Sequence, residues 1–142
     1  MKTIWIGLLV IVLIIASIYI LFGNASSDRV ISTIDGIIKD SRNRDVKVTI
    51  GYLGAFKDSA DDRALPISIG DASSFTDAMS KAYQMRAKYV GLQYYRPDEK
   101  LGQVWIGGSN AKYAKYGPAI AEYNVGPGKW GTGYVNAVYK FM

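Results

Sequence analysis

Apolar residues run without a charge from Ile4 to Phe22, 19 positions broken only by Gly7, Ser17 and the hydroxyl of Tyr19. A run of this length predicts a bilayer-spanning helix, which needs about 20 residues. Ile4, Trp5, Tyr19 and Phe22 are the expected anchor residues near its ends. A cleaved signal peptide is the competing reading, with Lys2 as its basic start and Gly23, Asn24 and Ala25 as small residues for cleavage. The run exceeds the roughly 7–15 apolar residues of such a peptide, so a retained anchor over residues 1–23 is expected. Arg29, Lys39, Arg42 and Arg44 outnumber Lys2, which favours a cytosolic C-terminal part.

Beyond the anchor, Val30, Ile31, Ile34, Ile37 and Ile38 fall at helical spacing and predict a short stalk helix over 28–40. Ser27 would cap it, and its apolar face would pack on the chain's own domain. The polar string 40–45 then reads as a hinge, closing a stalk region of 24–45. Val46, Val48, Ile50 and Tyr52 alternate with Lys47, Thr49 and Gly51, the pattern of a half-buried strand. Residues 75–87 return to helical period, with Ser74 and Asp77 spaced as a capping box. Strands are expected over 89–95 and 103–106, joined by the turn at 96–100, and a last strand over 135–141. The expected fold is α+β: a transmembrane helix, a stalk helix, then a small antiparallel sheet packed with one helix in a single domain, 46–142.

Composition narrows function more than fold. The chain carries 17 basic and 12 acidic residues, a net charge of +5 spread along its length. That suits an anionic surface but is too mild to argue for nucleic acid. There is no histidine, the usual general base and metal ligand, and no cysteine. Catalysis finds no support, and a reducing compartment or a well-packed assembly is expected. The 11 tyrosines, most of them after residue 83, suit an interface with protein or sugar.

Three motifs invite chemistry. Gly126, Gly128 and Gly131 satisfy a G-x-G-x-x-G pattern, but no helix or acidic partner follows, so a turn is expected and no cofactor. Asp58, Asp61 and Asp62 could gather around calcium, yet their spacing is not that of a calcium loop. Lys57 and Arg63 stand ready to neutralise them, so local ion pairs are expected and no metal site. Lys112, Tyr113, Lys115, Tyr116, Lys129 and Trp130 interleave bases with aromatics, a pattern open to a tyrosine-filled core, a protein or glycan surface, or nucleic acid. Asn24-Ala25-Ser26 is a glycosylation triplet set against the apolar run.

Tyr52-Leu53-Gly54-Ala55-Phe56-Lys57-Asp58, continuing to Arg63-Ala64-Leu65-Pro66, resembles the opening of a WSC-type domain. Residues 75–82 and 89–94 resemble its helix and following strand. Gln103-Val104-Trp105-Ile106-Gly107 resembles its next hairpin strand, and the stretch from Lys115 through Asn136-Ala137-Val138-Tyr139 resembles its ending. The resemblance covers about two thirds of the chain and implies a WSC/PAN-like fold. Ala55, Ala78, Val104 and Ala121 stand where the family carries disulfide cysteines. The family is generally extracellular and taken to bind carbohydrate, whereas cysteine-poor, membrane-anchored relatives occur in large DNA viruses.

The resemblance and the anchor together imply a non-enzymatic minor capsid or virion membrane protein, tethering a protein shell to an inner membrane, with its domain facing the cytosol during assembly. Its partners would be the lipid bilayer and other shell subunits, with glycan as a further candidate and nucleic acid disfavoured. The alternative is a membrane-tethered or secreted glycan-binding domain. In either case Tyr94, Tyr95, Trp105, Tyr113, Tyr116 and Trp130 are the candidate contact surface.

Overall fold

The computed structural model describes residues 28–142. Its elements are β1 (Ser32–Lys39), β2 (Asp45–Lys57), β3 (Ile67–Ala72), α1 (Phe75–Gln84), β4 (Tyr89–Arg96), β5 (Leu101–Gly107), β6 (Pro118–Ala119), β7 (Tyr123–Val125), β8 (Gly128–Trp130) and β9 (Val135–Phe141). The main sheet runs β1-β2-β9-β4-β5-β3, antiparallel throughout, with β6 added beside the far end of β2. β7 and β8 form a separate hairpin. Half of the described residues are strand and 9% are helix, which corrects the expected α+β architecture to a mainly antiparallel β domain with one short helix.

The segment expected as a stalk helix is β1. Its apolar residues come in pairs, Val30-Ile31 and Ile37-Ile38, so they fit a period of 3.6 and a period of 2 equally. β-branched side chains and Gly36 both weigh against a helix. The ladder from Ser32↔Tyr52 to Lys39↔Asp45 settles the choice by setting Ile34 and Ile38 beside Ile50 and Val46. The expected hinge is the hairpin turn. Asn43 N donates to Asp40 O (3.0 Å), and the Asp40 carboxylate accepts from the backbone N of Arg42 (2.8 Å) and Arg44 (2.9 Å).

The transmembrane helix expected over 4–22, with Ile4, Trp5, Tyr19 and Phe22, lies outside the described residues. Among the described residues no helix is long and apolar enough to cross a membrane. α1 has 10 residues, half a bilayer's worth, and a polar face of Thr76, Asp77, Lys81 and Gln84. The single-pass transmembrane assignment therefore finds no support among the described residues.

α1 starts as its sequence predicts: Ser74 Oγ accepts from Asp77 N (3.0 Å), while the Asp77 carboxylate reaches back to Ser73 N (3.0 Å). It stops short of 87 because Arg86 takes a left-handed φ of 57°. Arg86 N then donates to Tyr83 O (3.0 Å) and Ala87 N to Ala82 O (3.1 Å), a helix ending in which glycine is the usual residue. Phe75, Ala78, Met79 and Ala82 bury α1 against Ile38, Ile50, Leu92, Val104 and Tyr139 on one face of the sheet. On the other face, Leu65 and Tyr113 from two long loops join Leu53, Tyr89 and Val138. Ala78 and Val104 fill the α1-side core, Ala55 is buried and Ala121 half-buried.

The start of the described chain is pinned to the loop-covered face. The Asp28 carboxylate accepts from Tyr89 Oη and Tyr113 Oη, both at 2.9 Å, and pairs with Lys140 Nζ at 3.5 Å. Burial alone would raise its pKa, but the tyrosine hydrogen bonds and Lys140 outweigh it and hold the carboxyl below its ordinary range. Burial and the Asp28 charge push the Tyr89 hydroxyl up to about 12. A depressed carboxyl stabilises the fold above its unfolded pKa of about 4 and loses that contribution on acidification. A raised tyrosine contributes fully below about pH 10 and loses its share between about 10 and 12. Thermal unfolding of Asp28→Asn is expected to show stability about 1–2 kcal/mol lower at neutral pH and a flatter acid limb.

Candidate functional site

The six aromatics named from sequence do not form one surface. Trp130 is fully buried, and Tyr95 lies over it with ring centroids 5.6 Å apart. Tyr113 is committed to Asp28, and Tyr116 Oη donates to Asp62 O (2.6 Å). Tyr94 lines a cleft of about 320 Å³ in the loop-covered face of the sheet, and Trp105 stands behind one of its walls, its ring centroid 4.2 Å from the Arg63 guanidinium. The cleft lining adds Arg63, Gln93, Gln103, Gly133 and Tyr134, none of which was expected as a contact residue.

The floor comes from strand register. β4 and β5 pair Gly91 with Trp105 and Gln93 with Gln103, so both glutamines and the indole point to the same face. Gln93 is 1% exposed. Its amide is oriented by two donors: Oε1 accepts from Trp105 Nε1 (2.6 Å) and Arg63 Nη1 (3.2 Å). The reverse orientation would offer one 3.3 Å contact to Asp58 Oδ2 and set the amide nitrogen against both donors.

One wall is Arg63. Its guanidinium lies 4.2 Å from the Trp105 ring centroid and 5.4 Å from that of Tyr134. Nη1 bonds the Asp58 carboxylate at 2.9 Å, and that carboxylate is shut off from solvent. Asp58 also accepts from the backbone N of Ser59 and Ala64, both at 2.9 Å, so it organises the loop that delivers Arg63. The cation is thus stacked and paired on its inner side, with its outer edge turned to the cleft.

Two tyrosines form the rim. Tyr94 (φ 52°) and Tyr134 (φ 57°) are both left-handed and both about half exposed. This conformation is rare for bulky residues and costs on the order of 1–3 kcal/mol each. Tyr94 sits where the β4–β5 ladder shifts between Gln93 and Arg96, and its N donates to Thr132 O (3.0 Å). Tyr134 O accepts from Asp58 N (2.9 Å), which ties the rim to the floor. Arg96 stacks on Tyr94 at 4.9 Å and is itself paired with Asp71 (2.8 Å) and Glu99 (3.0 Å).

The remaining motifs have structural roles. Gly126 (φ 63°) turns the β7–β8 hairpin, and a Cβ at Gly128 would overlap the Phe75 ring. Asp62 pairs with Lys115 at 2.9 Å. Among the described residues no group of three or more acidic side chains is placed to hold a metal.

Fold and site together define an antiparallel β domain with a polar-floored, tyrosine-rimmed cleft. Comparison with protein-family models, curated proteins and solved structures found no match. The likeness to WSC-type domains therefore rests on the quoted residues alone.

Proposed function

We propose that this domain is a non-catalytic carbohydrate-binding module whose site is the Tyr94–Tyr134 cleft. One observation carries the reading: two exposed tyrosines that line a cleft with a buried polar floor are both held in a costly backbone conformation. Strain of this kind persists where the surroundings enforce it and is concentrated at binding sites. A sugar ring has an apolar C–H face and a hydroxyl edge. Tyr94 and Tyr134 can take the face, while Gln103 and the outer edge of Arg63 bond the hydroxyls. Arg63 and Arg96 are already paired with carboxylates, which leaves little uncompensated charge for a nucleic-acid backbone.

The full chain on a glycan array is expected to retain at least one sugar class. Tyr134→Ala should weaken that binding about tenfold, the value of one aromatic contact. No retention at millimolar sugar would overturn the proposal. A structural subunit of a larger protein shell is the second reading, favoured by the open sheet edge at β1.

A further inference from the structure

β1 and β3 are the two edges of the main sheet. β3 is a poor template for a further strand: its ladder shifts between Ser68 and Asp71, and Gly70 sits at φ 89°. β1 has none of these defences. Its eight residues pair with β2 without a register shift, and it contains no proline.

The hairpin tells which of its backbone groups are free. Asp40 N donates to Arg44 O, so 40↔44 is a hydrogen-bonded pair and the even-numbered residues of β1 bond to β2. Thr33, Asp35, Ile37 and Lys39 turn their N–H and C=O groups outward. Lys39 is already covered by α1: its N donates to Ser80 Oγ (3.0 Å), and its carbonyl accepts from Gln84 Nε2 (3.2 Å). Of the three residues left, Ile37 is 54% exposed, and just before the strand Ile31, whose N–H donates to Tyr52 O (2.8 Å), leaves its side chain 62% exposed.

We infer that β1 pairs antiparallel with β1 of a second copy of this chain, about a two-fold axis at Ile34. Neighbouring registers fail on inspection. An axis at Asp35 sets two carboxylates directly opposite each other, which is destabilising. An axis at Gly36 or Ile37 requires Lys39, whose outward groups α1 already occupies. The axis at Ile34 places Thr33 opposite Asp35 of the second copy, the backbone pairing, and sets Ile37 beside its Ile31 in side-chain contact alone, since Ile31 N stays on Tyr52 O (2.8 Å). Hydroxyl then meets carboxylate and apolar meets apolar, twice over by symmetry.

The chain has no cysteine, so a single introduced thiol can link only to its own copy. Opposed residues of a non-hydrogen-bonded pair lie about 4.5 Å apart at Cα, within disulfide reach. Full-chain Ile34→Cys under mild oxidation should therefore give about tenfold more covalent dimer than Asp35→Cys, and adding Ile37→Lys should abolish it. Wild-type chain should sediment as a dimer. Preferential linkage at Asp35→Cys would overturn the register. A wild-type mass of 15.6 kDa, or no linkage of Ile34→Cys, would overturn the pairing.

Discussion

Arg63→Met is expected to destabilise the domain by about 3 kcal/mol and to abolish ligand binding at the cleft. Stability falls because the Asp58 carboxylate is fully buried and Arg63 is its only ion-pair partner among the described residues. Removing the cation leaves a buried charge with two backbone donors and no counter-ion. The stack on Trp105 and the bond to Gln93 are lost as well. The double variant Asp58→Asn/Arg63→Met should recover about 1–2 kcal/mol of stability, since the unpaired charge is gone, but no binding. Urea unfolding of the four members of this cycle measures the coupling directly. A single variant as stable as wild type would show that the pair is solvated and the floor not fixed.

Gly131→Ala should cost at least about 4 kcal/mol, enough to prevent folding of a marginal domain. A Cβ there would overlap the carbonyl oxygen of Val135, which is main chain and cannot turn aside. The backbone is held from both sides: Gly131 N donates to Leu92 O (2.9 Å), and its carbonyl accepts from Tyr95 N (3.2 Å). Gly133→Ala, two residues on, is the control. Its Cβ would meet only Tyr94 Cδ2 at 3.7 Å, an ordinary contact, so stability should stay within about 0.5 kcal/mol. Soluble yield and thermal midpoint of the pair separate the local clash from any general intolerance of the loop.

The parts of this fold legible in sequence were those whose local pattern and tertiary partners agree. Phe75, Ala78, Met79 and Ala82 behind Ser74 give α1, and the apolar runs of β4, β5 and β9 give the sheet centre. β1 reads as a helix in sequence because the apolar pairs Val30-Ile31 and Ile37-Ile38 satisfy two periods, and only pairing with β2 distinguishes them. β3 carries no such signal, because its bulge interrupts the alternation that marks a strand. At the site, Tyr94 and Trp105 were visible as aromatics, whereas Arg63 read as a neutraliser of surface aspartates. A glutamine inside an apolar strand, Gln93, was the available signal. Its meaning depends on the register that sets it beside Gln103 and Trp105. Tyr134 joins the site only through the loop that closes on Asp58.

The most direct measurement is a chemical-shift titration of the full chain with a sugar retained on the array, following the indole N–H signals. Trp105 stacks under the Arg63 guanidinium that lines the cleft and bonds Gln93 on its floor, whereas Trp130 is sealed in the core behind Tyr95. Saturable movement of the Trp105 indole and the Arg63 Nε signal, with Trp130 unmoved, is the result the proposed site predicts. Binding that leaves Trp105 and Arg63 unshifted would place the ligand elsewhere and contradict it.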